Sequence, residues 1–252
     1  MKRQALCSVI VPAYRSEKYI AACIASVQAQ TFRDLEIVVV DDASEDYTGQ
    51  IVQQMAKEDE RIRYLRQEAN RGVAAARNRG VEEAAGEWIA LLDSDDVWLP
   101  EKLEKQLVLQ QQSGAELIYT GAQCMDCDGR MQERYFRVPK QTDYKALLKG
   151  NDIVCSSVLV KREWLLKHPM ERSDLHEDYL CWLKLLKDGC IAAGIDEPLT
   201  FYRLTEGSKS RNKGKAAKMT WETYKQLGLA WYKRCVAFAA YAIHGCKRYR
   251  PL

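Results

Sequence analysis

Short apolar runs alternate with helically periodic segments through the first half of this 252-residue chain. Leu6 to Val11 predicts a buried strand ended by Pro12. A helix from about Ser16 carries Tyr19, Ile20, Cys23, Ile24 and Val27 on one face. Leu35 to Val40 predicts a second strand, closed by Asp41-Asp42-Ala43-Ser44, and Asp46 and Thr48 are candidate caps for a helix reaching about Asp59. Ile62 to Leu65 is a short third strand. Asn70-Arg71-Gly72 opens an Ala-rich helix from Val73 to Ala85, stopped by Gly86. Trp88 to Leu92 is the fourth strand, and Pro100 starts a helix with Leu99, Leu103 and Leu107 inward. This alternation predicts a mostly parallel, doubly wound α/β sheet with helices on both faces, whose ligands sit beyond the carboxyl ends of the strands.

The second half is less regular. Leu117 to Gln123 predicts a strand followed by a hairpin turn at Asp128-Gly129, and Ser156 to Val160 another strand. Glu177-Asp178 precede a helix whose apolar face is Tyr179, Leu180, Leu183 and Leu186; Leu199 to Arg203 is extended. Residues 205–214 are polar with two glycines and read as a loop. From about Ala216 the period is helical, with Trp221, Tyr224, Trp231, Cys235, Phe238 and Ala242 near one stripe. The expected organisation is one domain over residues 1–210 and a basic amphipathic helical tail over 211–252.

Charge sharpens that division. The net charge is +3, but from Gly207 onward eleven basic residues face one acid, Glu222, a balance of +10 that leaves −7 on residues 1–206. A basic, aromatic-rich tail predicts contact with an anionic membrane surface, and no nucleic-acid recognition motif accompanies it. No stretch approaches the roughly 18 uninterrupted apolar residues of a spanning helix. Nine cysteines, scattered through apolar segments, fit reduced thiols in a cytoplasmic protein, peripheral at the inner face of the membrane.

Asp93, Asp95 and Asp96 fall within four residues, directly after the fourth strand. Adjacent carboxylates repel unless a positive charge lies between them. The residues alone leave two readings open: solvated turn acids, or ligands of a divalent cation that also binds substrate phosphates. Asp41-Asp42 form a second acidic strand end on the same edge, which favours the latter. Glu177-Asp178 read, by themselves, as an acidic helix N-terminus.

Several blocks occurring in order resemble glycosyltransferase family 2, the inverting transferases with a GT-A fold. They are Ser8-Val9-Ile10-Val11-Pro12-Ala13-Tyr14, Val38-Val39-Val40-Asp41-Asp42-Ala43-Ser44, Asn70-Arg71-Gly72-Val73-Ala74-Ala75-Ala76-Arg77-Asn78, Gly86-Glu87-Trp88-Ile89 with Leu91-Leu92-Asp93-Ser94-Asp95-Asp96, and Glu177-Asp178-Tyr179. The resemblance covers about residues 6–210 and implies a nucleotide-binding half, about 1–115, and an acceptor half, about 116–210. It also implies roles. Asp42, with Asp41 beside it, hydrogen-bonds the uracil of a UDP-sugar, and Tyr14 lies near that base. Arg77 lies near the phosphates. Pro12, Ala13, Asn70, Gly72 and Ser94, from the same blocks, complete the nucleotide-binding set. Asp93 and Asp95 match the family's DxD motif, which holds Mg²⁺ or Mn²⁺, with Asp96 a further contact. Asp178 matches the catalytic base and Glu177 its neighbour.

The chemistry asks for such groups. The leaving diphosphate gathers charge that a Lewis acid stabilises, and the acceptor hydroxyl needs a base to take its proton. The expected function is transfer of one sugar per event to a saccharide or lipid-linked acceptor in bacterial surface polysaccharide assembly, since the processive Gln-x-x-Arg-Trp motif is absent. Many relatives carry a His after the pair corresponding to Tyr202-Arg203; here Leu204 follows, and Lys209 and Arg211 are the candidate cations of that loop. A nucleotidyltransferase or a non-catalytic nucleotide-binding module are the alternatives.

Overall fold

The computed structural model of the protein describes residues 6–171, 174–204 and 213–248. In chain order the first half runs β1 (Cys7–Ala13), α1 (Ile20–Gln28), β2 (Leu35–Asp41), α2 (Thr48–Glu58), β3 (Ile62–Arg66), α3 (Val73–Glu83), β4 (Trp88–Leu91), β5 (Val97–Trp98) and α4 (Lys102–Ser113). The second runs β6 (Leu117–Met125), β7 (Met131–Phe136), β8 (Gln141–Thr142), α5 (Tyr144–Leu147), β9 (Leu159–Lys161), α6 (Arg162–Lys167), α7 (Glu177–Lys187), β10 (Ala192–Arg203), α8 (Lys213–Gln226) and α9 (Trp231–Arg248).

One sheet has the order β3-β2-β1-β4-β9-β6-β10-β5, with β7 added to β6 and β8 to β10. Only β9 reverses direction between β4 and β6, so β1, β2, β3, β4, β6 and β10 all point the same way. The central strands are apolar at nearly every position because both faces are covered. Val9, Val11, Ile37 and Val39 face α1, α2 and α4, while Ile10, Val38 and Val40 face α3, α7 and Tyr224 of α8. Helix α3 lies so close to β1 that a Cβ on Gly80 would fall 2.3 Å from a methyl of Ile10.

Local details differ from the sequence reading where a distant partner decides. Strand β1 runs through Pro12, which lies opposite Val40 at the strand's very end. Residues Cys155–Ser157 form a 3₁₀ turn ahead of β9, so the strand expected from Ser156 starts later, because Ser156 and Ser157 spend their polar groups on neighbouring loops. Strand β10 begins at Ala192, seven residues earlier than its composition suggests, drawn out by pairing with β6 across an irregularity at Pro198. Gly86 does not stop α3, which ends at Glu83; it lets the chain pass against the backbone of Ser8. The tail is two helices, broken at Gly228 in a left-handed conformation (φ 71°). Tyr224 of α8 and Leu227 just after it belong to the main core cluster, whereas α9 leaves Trp231, Tyr232, Val236 and Ile243 exposed.

Candidate active site

The carboxyl ends of β2, β1 and β4 lie side by side, which puts Asp42 and Asp93 at one sheet edge, two strand spacings or about 10 Å apart. Two residues there adopt the left-handed region without being glycine, Arg15 (φ 49°) and Ala43 (φ 62°). Such strain concentrates where a loop must be held in one shape. The Ser16 hydroxyl lies 2.7 Å from that of Ser94, and the Ser16 amide donates to Thr48 Oγ1, which knits the β1, β2 and β4 loops together. Thr48 therefore serves the loop, and Asp46 is the group that accepts its amide.

Asp41 and Asp42 point to different tasks. Asp41 is fully buried and accepts from the Ser44 amide and the Tyr64 hydroxyl. Asp42 accepts from Gln67 Nε2 and from the amides of Arg71 and Gly72, at 2.5–2.7 Å. Those bonds fix the loop carrying exposed Asn70 into α3, whose N-terminal flank is Gly72 at φ 86°. Tyr14 stands 44% exposed just past Pro12 and Ala13, with the Arg15 guanidinium over its ring.

The acids after β4 are less well satisfied. Asp93 accepts from Arg77 at 2.6 Å and keeps 30% of its side chain exposed. Asp95 is half-buried and its carboxyl accepts from no other residue among those described; burial, then the charge of Asp93, pushes it up to about 6. Asp96 lies beneath the rim: one carboxyl oxygen accepts from the Arg203 amide and the other is buried without a partner. Burial and the two neighbouring acids push Asp96 well above the ordinary carboxylate range.

Arg77 joins this cluster to α7. Its guanidinium, 4% exposed, donates through one terminal nitrogen to Asp93 and through the other to Glu177 at 2.9 Å. Arg77, expected near the phosphates, thus contacts two protein carboxylates at the same sheet edge. The next residue, Asn78, exchanges two hydrogen bonds with the backbone of Met170, on the segment that leads into α7. Asp178 follows Glu177 in the first turn, half-buried, and burial and the Glu177 charge push its carboxyl upward. Through Arg77, the β4 acids and the Glu177-Asp178 pair form one connected site.

Three organising residues are not among the site residues expected from the sequence. The Ser156 hydroxyl oxygen accepts from the Asp93 amide, and its carbonyl accepts from Trp98 Nε1. Gln67 braces Asp42. Arg203 reaches the carbonyls of Asp95 and Asp126 and lies over Tyr19 at 4.4 Å, strapping the acidic loop to the β6–β7 hairpin. Only Arg203 could have been suspected, from its place at the end of a strand. Lys209 and Arg211 lie outside the described residues.

Comparisons with known proteins give the family and the fold. The family description "Glycosyl transferase family 2" matches residues 8–167. TuaG of Bacillus subtilis (strain 168), named for glycosyl transfer in teichuronic acid biosynthesis, is 39% identical over 96% of this chain and 97% of its own. WfgD of Escherichia coli, named as a UDP-Glc:α-D-GlcNAc-diphosphoundecaprenol β-1,3-glucosyltransferase, is 36% identical over 86% of this chain and 84% of its own. Among solved structures, S. aureus TarS 1–349 with UDP-GlcNAc superposes with a TM-score of 0.72 at 20% identity, over 94% of this chain and 71% of that one. A Pyrobaculum calidifontis mannosyltransferase with GDP-Man and Mn²⁺ gives 0.70 at 17% identity, over all of this chain and 77% of that one. These likenesses show the GT-A fold.

Proposed function

Because the chain belongs to glycosyl transferase family 2 and is a glycosyltransferase, we propose that its acidic rim holds the diphosphate of a UDP-sugar through Mg²⁺ or Mn²⁺ and that Asp178 is the base that activates the acceptor hydroxyl. The observation that carries this reading is the excess of carboxylate at the β4 end: Asp95 has no donor from another described residue, while Asp93 shares one arginine with Glu177. Hard oxygen donors of this kind fit a divalent cation. Among the described residues no three His, Cys, Asp or Glu side chains form a cage, so Asp93 and Asp95 would hold the cation with water and phosphate oxygens. When bound, it supplies charge stabilisation to the leaving diphosphate.

The chain's own residues do the rest. Asp42 shapes the Asn70-Arg71-Gly72 loop beside the base, and exposed Tyr14 covers it, with Pro12 and Ala13 forming the floor at the end of β1. Ser94 sets the loop's height by its contact with Ser16. Asp96 and Arg203 hold the loop from below. Glu177, fixed by Arg77, presents Asp178 to the acceptor. The half-buried Asp178 takes the hydroxyl proton as oxygen attacks the anomeric carbon opposite the departing diphosphate, and that geometry inverts the centre. No second nucleophilic carboxylate is required.

The acceptor we infer is a lipid-linked saccharide at an anionic leaflet of the cytoplasmic membrane. Its support is α9, where Tyr232, Val236 and Ile243 recur at helical spacing and stay exposed, and where the acids of the body give way to Lys and Arg. No helix among the described residues is long and apolar enough to cross a membrane. The test is a thermal-shift panel of nucleotide sugars with and without Mn²⁺. Ligand at one hundred times its Kd adds about 2.7 kcal/mol, several degrees for a chain this size. We expect that shift for UDP-sugars with metal; equal shifts in chelator sink the metal assignment. Release of pyrophosphate instead of UDP during turnover would point to a nucleotidyltransferase.

A further inference from the structure

We propose that α8 braces the catalytic helix and that Tyr224 is a positioning residue for Asp178, an inference that rests on the base assignment above. The first turn of α7 is gripped on both sides of Asp178. Glu177 is held by Arg77. Tyr179 is held by Tyr224: the two hydroxyl oxygens are 3.2 Å apart, and the rings meet edge to face with centroids 6.4 Å apart. A carbonyl at the end of α5 lies within reach of each hydroxyl, Leu147 at 2.8 Å from Tyr179 and Leu148 at 2.7 Å from Tyr224; each hydroxyl has one proton, so when both go to carbonyls the phenol oxygens stay in contact through packing.

Both tyrosines are almost wholly buried in the main apolar cluster. A phenol hydroxyl in such surroundings must be hydrogen-bonded or it destabilises the fold. Here the groups come from three elements, and the Tyr179–Tyr224 contact, hydroxyl and ring together, closes only when α8 is seated. Successive residues on a helix are about 100° apart, so fixing residues 177 and 179 leaves Asp178 one direction to point. The brace reaches the tail's outer helix too. Trp221 of α8 packs edge to face on Phe238 of α9 at 5.6 Å, and Arg234 lies over the same indole. The basic tail is therefore joined mechanically to the base.

The experiment uses the full chain and steady-state kinetics on Tyr224→Ala and Tyr224→Phe, with Gln226→Ala, an exposed neighbour on α8, as the control and Asp178→Asn alongside. Folded fraction is read by circular dichroism. A base displaced by an ångström or so loses about tenfold or more in kcat. We expect that fall in Tyr224→Ala, a smaller fall in Tyr224→Phe, donor KM within about twofold of the parent in both, and a parental Gln226→Ala. Should Tyr224→Ala fail to fold, Tyr224→Phe decides by the same criterion. Folded Tyr224 variants at full kcat, or a rise in donor KM that matches the fall in kcat, overturn the brace while an inactive Asp178→Asn leaves the base in place. A fully active Asp178→Asn overturns the base, and the brace with it.

Discussion

The two acidic ends of the sheet edge are built in opposite ways. At the end of β2, Asp42 accepts three hydrogen bonds and Asp41 accepts two, so their charge is consumed by the loops around them. At the end of β4 and the start of α7, five carboxylates (Asp93, Asp95, Asp96, Glu177 and Asp178) lie close in the chain to one another or to Arg77, which pairs with Asp93 and Glu177, while Arg203 contributes an amide to Asp96 and contacts to carbonyls. The first arrangement stabilises a shape. The second crowds like charges, and in the proposed function a divalent cation would relieve them. Identical residue types two strands apart are thus hydrogen-bonded to the surrounding loops in one place and left with fewer donors in the other.

The largest effect that can break this comparison is at Asp178. Asp178→Asn should lower kcat by about 10²–10⁴-fold, the range for a lost general base, with donor binding intact. Burial and Glu177 raise the Asp178 carboxyl, so the parent enzyme should lose activity as pH falls through a value above the ordinary carboxylate range of about 4. An acidic limb at or below that range, measured as kcat/KM against pH, would mean that the group is not this aspartate.

Next comes a reversal of sign. Asp42→Ala leaves three N–H donors without an acceptor and should destabilise by about 3 kcal/mol. Asp95→Asn removes one charge from a crowded cluster and should leave the unliganded protein as stable as the parent or more so, while abolishing the Mn²⁺-dependent shift with UDP-sugar. Chemical denaturation of both variants tests the pair; equal destabilisation would erase the distinction between the two ends.

Lys102 offers the same test with a cation. It is wholly buried, donates to Gln106 at 2.8 Å and lies 3.9 Å over the Trp98 ring, with no carboxylate partner among the described residues. Burial pushes it down to about 7. Between about pH 7 and the ordinary lysine value near 10.4, the unfolded chain holds a proton that the folded chain does not, so this group's contribution makes stability rise with pH across that window. Lys102→Met should flatten that rise and gain about 2 kcal/mol at pH 7, the burial penalty less the hydrogen bond lost at Gln106. An unchanged slope of midpoint against pH would place the titration elsewhere.

The smallest effect concerns α9. Val236→Glu, on its 70%-exposed apolar position, should weaken binding to anionic vesicles by about tenfold or less without moving kcat on a water-soluble acceptor. Parental vesicle binding would assign the face to some other partner.

Much of this was legible in the chain itself. The β1-α1-β2-α2-β3-α3-β4 alternation follows from runs such as Val38 to Val40 and from the spacing of Ile20, Cys23, Ile24 and Val27, both local properties of neighbouring residues. The acidic strand ends were visible for the same reason, since each is contiguous. What each acid does was not. How many carboxylate oxygens Asp42 and Asp96 leave free depends on Gln67, Gly72 and Arg203, brought from other segments by the fold. The tail shows the same limit: a single stripe through Trp221, Tyr224 and Trp231 states that apolar surface exists, and only the tertiary structure decides that Tyr224 is covered by α5 and α7 while Trp231 is left outside. Periodicity is fixed along the chain; hydrogen-bond partners and buried charge are set by residues a hundred positions apart meeting in space, as Arg77 meets Glu177.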